Sequence, residues 1–441
     1  MLKIYTLLFF LSVTLINPWG MNRGIIWSQP KILAIELICI LNILTISPNW
    51  NLLKISKDCK RVSLLWGLFL IVGIIATIKS SLPLRSLLGG STMKSGLLYW
   101  GLIAIFMLSN ALVLKLRPEI GRSQLQGLVM GGLILALSTF PQMLNWQIDY
   151  TLGSGNLVAN NILQSGVFQG HQPIGLYSHR GYAAFTLAAA GILAFVGWRW
   201  KWITSKFFLV SITVILPALL FTQTRAALLA LVISVGYLLG RKHYKLIILG
   251  AVISTLFIYI NTTSRYLEHQ GKSLSIIKQV TSDRITLWEI AVTRIKMQPL
   301  LGWGFDGFEI AYPHLPNGKI KTSPIPSTKA HNLVLDTAVS VGIIGTVVYL
   351  ELIAVCLYLV CKSSFSGIEA IAIAYLVFTF TWFECAQFTH IFWWSLSFFN
   401  YEKNCHSTST ISQLSITSYR PMFTGFRSWI SRAKATVFRK V

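Results

Sequence analysis

The chain has 441 residues, of which 54% are hydrophobic and only 12% are charged, against roughly 25% charged residues in soluble domains. This composition excludes an ordinary soluble protein and indicates an integral membrane protein. The formal net charge of +24 would also fit nucleic-acid binding, but the basic residues cluster in short loops between apolar runs. That distribution is typical of membrane topology, and no nucleic-acid partner is expected.

Apolar runs along the chain predict about 12 transmembrane helices, because each approaches or reaches the roughly 20 residues that a helix needs to cross a bilayer. The runs lie at residues 2–19, 31–46, 62–78, 96–114, 125–144, 181–198, 203–222, 226–240, 245–260, 339–361, 368–383 and 387–399. The first run lacks an A-x-A-like cleavage site and is predicted to be a retained span. We therefore predict an all-α, polytopic fold with a transmembrane domain over residues 1–400.

Lysines and arginines cluster in alternate loops, at residues 54–61, 115–122, 199–206 and 241–245, and in the tail 401–441. The positive-inside rule makes these segments cytoplasmic. The opposite segments are then external, including one long loop at 261–330, before the tenth helix. A loop of that length is usually functional. The basic tail is either an amphipathic segment on the cytoplasmic leaflet or a disordered tail.

Gly302, Gly304 and Gly307 form the spacing G-x-G-x-x-G in the stretch PLLGWGFDG. In a dinucleotide site a strand precedes this spacing. Here the preceding residues 283–298 have the apolar period of a helix, which Pro299 is expected to end. A nucleotide site is therefore excluded, and we predict that Gly302 and Gly304 allow a tight turn with positive φ or close backbone packing.

Two arginines stand at predicted external helix ends. Arg225, in LLFTQTRAALLALVISV, lies between two apolar runs with almost no loop. A charge at that depth is costly and marks a site or a pair, although an arginine reaching up to the interface is the structural alternative. Arg180, in IGLYSHRGYAAF, precedes the sixth span on the same side. Its neighbour His179 is interpreted as an ordinary loop histidine.

Arg284 lies at the start of the predicted helix 283–298. A cation is unfavourable there because the N-terminus of a helix is the positive end of its dipole. An arginine beside free backbone N–H groups is explained if an anion such as a phosphate binds between them. Pairing with the adjacent Asp283 is the alternative.

His331, in STKAHNLVLDTAV, stands where the long external loop enters a helix. The helix N-terminus disfavours the protonated imidazole and keeps the ring available as a base near neutral pH. A capping or structural histidine is the alternative. Asn332 is a candidate partner for the ring, and Asp336 a weaker one.

Motifs for other chemistries are absent from the sequence. There is no D-x-D, no H-E-x-x-H, no P-loop and no G-x-S-x-G. Asp306 and Glu309 stand three residues apart, without further carboxylates nearby. No metal site and no cofactor are therefore expected, and the six cysteines form no disulfide or metal pattern.

Three stretches together resemble the superfamily of O-antigen ligases and Wzy-type polysaccharide polymerases. They are TQTRAALLALVISV, DRITLWEIAVTRIKMQPLLGWGFDGF and KAHNLVLDTAVSVGIIG. In that family an arginine follows Ser or Thr at a span start, an arginine and a tryptophan precede P-L-L-G-x-G, and His-Asn precedes a G-x-x-G helix. The resemblance covers roughly residues 180–350 and departs from the family pattern at HRGYAAF.

The resemblance implies a metal-independent, inverting membrane glycosyltransferase with a GT-C-like fold and its active site on the external face of the inner membrane. The donor would be a glycan linked to undecaprenyl diphosphate, and the acceptor a glycan or lipid A-core. His331 would be the catalytic base, while Arg225 and Arg284 would bind the donor diphosphate with help from Arg180. The product would be a surface polysaccharide such as O-antigen or exopolysaccharide.

Two other classes of protein remain open from the sequence. A transporter or flippase for a lipid-linked glycan commonly has twelve spans, but it usually binds its cargo near the midplane and is built from two related halves. A scaffold protein in polysaccharide assembly would need no external arginines and histidine. Within the enzyme class, ligase, polymerase and protein O-oligosaccharyltransferase are not distinguished.

Overall fold

A computed structural model describes residues 1–53, 55–143, 173–240, 284–311 and 328–401 of the chain. This described part is all-helical and contains no strand. Its helices are α1 (Leu2–Thr14), α2 (Gln29–Ile46), α3 (Lys57–Lys79), α4 (Pro83–Leu88), α5 (Leu97–Leu116), α6 (Glu119–Met143), α7 (Arg180–Arg199), α8 (Ser205–Phe221), α9 (Arg225–Leu239), α10 (Arg284–Met297), α11 (Gly307–Ile310), α12 (Leu333–Lys362), α13 (Glu369–Thr379) and α14 (Thr389–Leu396). Of the predicted basic tail, residues 402–441 lie outside the described residues.

Several of these helices have the length and composition of membrane spans. The six long enough to cross a bilayer in the described part are Gly24–Asn51, Lys57–Lys79, Leu97–Leu116, Glu119–Met143, Arg180–Arg199 and Leu333–Lys362. Every predicted apolar run coincides with a helix, except 245–260, which lies outside the described residues. The chain is thus a multi-pass helical membrane protein. The count of twelve spans stays a prediction, because α1, α8, α9 and α13 have only 10–17 residues.

The N-terminal helices pack closely because α6 carries two glycines four residues apart. A Cβ atom at Gly127 would collide with the carbonyl oxygen of Thr6, and one at Gly131 would lie 2.8 Å from the Cβ of Val13. Small residues at this spacing let two helix backbones approach one another. Since α6 also packs against α7, it connects α1 to the helix that begins at Arg180.

Aromatic side chains from α3, α5, α12 and α14 fill the centre of the bundle. The ring centroids of Trp66 and Trp393 are 4.5 Å apart, and those of Phe69 and Tyr349 are 5.0 Å apart. Trp100 meets Tyr349 edge to face at 5.5 Å. Rings at such distances gain contact energy beyond the area that they bury, so this core holds α12 firmly against α3 and α5.

The long helix α12 is broken at Gly342, whose φ of 66° and ψ of −174° are not helical. A break inside a spanning helix leaves backbone N–H and C=O groups without partners in their own helix. Non-helical backbone at membrane depth is tolerated only where other protein groups satisfy it. The partners come from residues 299–304, which we call the glycine loop.

The glycine loop makes four hydrogen bonds across the break. They run from Trp303 N to Val339 O (2.9 Å), from Gly304 N to Ser340 O (2.9 Å), from Ile343 N to Pro299 O (2.8 Å) and from Ile344 N to Leu300 O (3.4 Å). Gly302 and Gly304 have φ values of 67° and 95°, which confirms the predicted positive φ. A Cβ at Gly302 would lie 2.6 Å from the Ser340 carbonyl oxygen, so the close approach requires glycine.

Candidate active site

Trp382, in the segment between α13 and α14, brings together residues from three distant parts of the chain. The centroid of its ring lies 5.4 Å from that of His179 and 5.4 Å from that of His331. The guanidinium carbon of Arg284 lies 5.5 Å from the same ring. Phe383 stacks on Trp382 and meets His331 edge to face at 4.7 Å. We call His179, Arg284, His331 and Trp382 the Trp382 cluster.

Arg180 and Arg225 lie on the border of this cluster. Nη1 of Arg180 donates a hydrogen bond to the carbonyl oxygen of Thr222 at 3.5 Å, in the short turn that leads to Arg225. Burial lowers the pKa of Arg284, and the nearby positive charge of Arg225 lowers that pKa further. All four residues predicted from the sequence, namely Arg180, Arg225, Arg284 and His331, therefore lie in one region of the molecule.

Two of the arginines occupy the same position in their helices. Arg180 and Arg225 are the first residues of α7 and α9, in agreement with the external helix ends that the sequence predicts for them. Arg284 is the first described residue of α10, so the predicted helix start at residue 283 lies outside the described residues. Because the N-terminus of a helix carries partial positive charge, Arg180 and Arg225 each add a cation where the field is already positive. Such a region has the electrostatics of an anion-binding site.

His331 is held in a strained turn just before α12. Its φ is 56°, a left-handed conformation that is uncommon for a residue with a side chain. Its Nδ1 lies 3.2 Å from the carbonyl oxygen of Lys329. A carbonyl only accepts hydrogen bonds, so we infer that the proton of the neutral ring resides on Nδ1 and that the Nε2 lone pair is available.

The pKa of His331 is lowered to about 4, chiefly by burial. The hydrogen bond with Lys329 raises this pKa, and the charge of Arg284 lowers it. This lowered pKa agrees with the prediction that the imidazole is neutral near pH 7. The main cause is burial rather than the helix N-terminus on which the prediction was based.

The expectation that Asn332 or Asp336 is the partner of the His331 ring is wrong. Asn332 caps α12, with its Oδ1 accepting from the N–H of Leu335 at 3.0 Å. Asp336 accepts from the N–H of Ala330 at 2.7 Å. Both residues thus fix the backbone around His331, while a backbone carbonyl, which sequence reasoning seldom identifies, binds the ring.

Asp306 and Glu309 have cationic partners from elsewhere in the chain. Asp306 is only 3% exposed and accepts hydrogen bonds from Lys329 Nζ at 2.6 Å, Ser95 Oγ at 2.8 Å and Gly90 N at 2.6 Å. Burial raises the pKa of Asp306, but Lys329 and these hydrogen bonds outweigh burial and hold that pKa below its usual value. Glu309 forms an ion pair with Arg85. In the described part of the chain, no group of three or more His, Cys, Asp or Glu residues is arranged to hold a metal ion.

His179 is a site residue that the sequence interpretation missed. It caps α7, with Nδ1 accepting from the N–H of Gly181 at 3.0 Å. Burial lowers the pKa of His179 to about 3, and the charges of Arg180, His331 and Arg23 lower it further. Arg23 was also missed, although it carried the same signal as Arg225, namely a positive charge at a predicted external helix end. Nothing in the sequence distinguishes Trp382 from its aromatic neighbours.

The fold is that of a multi-pass helical membrane protein, in which Arg284 and His331 meet at Trp382 and Arg180 and Arg225 lie nearby. Residues 210–350 match the family model described as O-antigen ligase, so the chain carries a domain of the O-antigen ligase family and the resemblance is confirmed. The match includes Arg225, Arg284 and His331. No curated protein matches the chain. The family indicates a glycosyltransferase-like enzyme, a ligase or polymerase of glycans at the membrane.

Proposed function

We propose that the protein is a metal-independent, inverting glycosyltransferase that moves a glycan from undecaprenyl diphosphate to a sugar hydroxyl. The acceptor is a second glycan or lipid A-core, and the product is a surface polysaccharide. The observation that carries the proposal is the meeting of Arg284 and His331 at Trp382, inside the region that matches the family. No cofactor enters this reaction.

The donor diphosphate is proposed to bind Arg225 and Arg284, with Arg180 assisting. Guanidinium groups bind phosphate oxygens with two parallel hydrogen bonds, and the N-termini of α7 and α9 add backbone dipoles of the same sign. A bound diphosphate would offset the repulsion between Arg225 and Arg284, which is expressed in the lowered pKa of Arg284. The same cations then stabilise the leaving diphosphate, a role that metal ions take in other transferases.

His331 is proposed to act as the general base. Its Nε2 accepts the proton of the acceptor hydroxyl while the hydroxyl oxygen forms a bond to the anomeric carbon of the donor sugar. The bond between that carbon and the phosphate oxygen breaks, and its electron pair leaves with the diphosphate. Attack opposite the leaving group inverts the anomeric configuration. Bound diphosphate raises the pKa of His331, because negative charge near the ring favours the imidazolium form.

We further propose that the protein resides in the inner membrane with its site on the periplasmic face. The site residues stand at helix ends that the positive-inside rule makes external. The donor lipid then enters from the bilayer and the growing polysaccharide stays outside. We include polysaccharide assembly proteins among the proposed partners.

The experiment that tests the proposed function is an analysis of lipid-linked glycans in a strain that lacks the protein. Accumulation of single lipid-linked repeats identifies a polymerase, and accumulation of long lipid-linked chains identifies a ligase. Complementation with wild-type protein must remove the accumulated species, whereas His331→Ala must not. If the strain accumulates glycans on the cytoplasmic leaflet only, the protein is a flippase and the proposal is wrong.

A further inference from the structure

The three residues Lys329, Ala330 and His331 form a short segment whose backbone carries the proposed base. Each of the first two residues is anchored by a carboxylate. Lys329, which is only 7% exposed, extends its side chain to Asp306 Oδ1 at 2.6 Å, and the N–H of Ala330 donates to Asp336 Oδ1 at 2.7 Å. The position of His331 therefore depends on two buried acids that do not contact its ring.

Asp306 follows the glycine loop by two residues and has a φ of 57°. Its carboxylate accepts hydrogen bonds from Gly90 and Ser95. The glycine loop in turn bridges the break in α12, which begins two residues after His331. The hydrogen bonds of the glycine loop, the backbone that leads from it to Asp306, and the ion pair of Asp306 with Lys329 thus connect the broken helix to the residue whose carbonyl binds the His331 ring.

Lys329 is buried, and its charge needs compensation within the protein. A small cavity of about 30 Å³ adjoins the ion pair, and its lining includes Phe305, Asp306, Lys329 and Asp336. Removing one partner of a buried ion pair leaves the other charge uncompensated, so the position of the Lys329 side chain depends on Asp306.

We propose that Asp306 and Lys329 are positioning residues for His331, an inference that rests on the proposed function. The ion pair fixes the backbone of Lys329 so that its carbonyl oxygen accepts the Nδ1 proton of His331. This contact sets both the orientation of the imidazole and its tautomer, leaving Nε2 as the basic nitrogen. Partners that orient the ligands of a metal site typically contribute a factor of about 10 to 100 in activity, and we expect a similar factor here.

The test uses the full-length protein in lipid nanodiscs, with an undecaprenyl-diphosphate-linked repeat unit as donor. In Asp306→Asn/Lys329→Met both charges are removed together, which avoids an unpaired buried ion. We expect kcat to fall by about 10- to 100-fold, while the KM for the donor changes by less than about twofold, because the arginines are untouched. Lys329→Arg keeps the charge and is expected to retain most of the activity.

The matched control is Glu309→Gln, which breaks the neighbouring ion pair with Arg85 but leaves the segment 329–331 intact. An equal fall in kcat in the control would show that Asp306 and Lys329 only stabilise the fold, and it would overturn the inference. A folded double variant with normal kcat would also overturn it. His331→Ala is measured alongside: if it transfers glycan normally, the proposed function fails and the positioning role fails with it. If only the double variant is normal, the proposed function stands.

Discussion

Two charged regions close together in this protein use charge in opposite ways. Around Trp382, burial lowers the pKa of Arg284, and the like charge of Arg225 lowers it further. After the glycine loop, burial acts to lower the pKa of Lys329, but the opposite charge of Asp306 outweighs burial and raises it. On our proposal the like charges near Trp382 bind the donor diphosphate, whereas the opposite charges of Asp306 and Lys329 position the base. Substitution of the arginines should therefore weaken donor binding, whereas substitution of Asp306 and Lys329 should lower kcat.

The largest effect is expected at the base. His331→Ala should lower the rate of glycan transfer by about 10²- to 10⁴-fold, the usual contribution of a positioned general base, without changing the amount of protein in the membrane. Transfer is measured with purified protein, and the amount by immunoblot. Arg61→Ala is the control, because Arg61 is 60% exposed and pairs weakly with Glu351 at 3.4 Å. Normal transfer by the His331 variant would refute the catalytic assignment.

The next effect is expected at Arg284. Arg284→Ala should reduce transfer by about 100-fold, as loss of one charge-stabilising donor often does. Arg284→Lys should recover only part of the activity, because lysine lacks the planar fork that binds two phosphate oxygens. Both variants should keep wild-type thermal stability, since an arginine in a repulsive site contributes little to folding. A clearly lower unfolding temperature in either variant would show that Arg284 stabilises the fold and would contradict this prediction.

A substitution in the broken part of α12 should instead lower the stability of the protein. A Cβ atom at Gly342 would collide with the carbonyl oxygen of Leu300 and would also require a φ of 66° in a residue with a side chain. Gly342→Ala should therefore destabilise the protein by more than about 1 kcal/mol, measured by thermal unfolding in detergent. Gly101→Ala is the control, because nothing lies within 4 Å of its added Cβ. Equal melting of the two variants would argue against the role of the glycine loop.

The smallest effect is expected from acidification. A base is active in its neutral form, so a His331 pKa of about 4 predicts that kcat/KM stays nearly flat from pH 7 to pH 5 and declines only as the pH approaches that pKa. His179, which contacts the same tryptophan, has a pKa of about 3 and also stays neutral in this range. For kcat the acidic decline should begin at higher pH, because bound diphosphate raises the pKa of the base. A decline in kcat/KM centred near 6.5, the ordinary pKa of histidine, would contradict the burial of His331.

Sequence reasoning predicted the parts of this protein that depend on local pattern. The apolar runs and the positive φ of Gly302 follow from neighbours along the chain. The direction of the His331 pKa was predicted correctly, but its main cause is burial. The ring partner of His331 did not follow, because it is a backbone carbonyl. The role of His179 did not follow because it depends on Trp382, which is about 200 residues away in the sequence, and only tertiary packing brings the two together. The ion pair of Asp306 with Lys329 was missed for the same reason.

The account is tested most directly by measuring donor binding and transfer on the same proteins. Binding of undecaprenyl diphosphate to nanodiscs is compared for the wild type, His331→Ala and Arg284→Ala. We predict that the His331 variant binds the lipid as tightly as the wild type and transfers no glycan, while the Arg284 variant binds it at least about tenfold more weakly, as expected for the loss of a charged contact with phosphate. Unchanged binding by the Arg284 variant, or transfer by the His331 variant, would contradict the division of the site into an anion-binding region and a base.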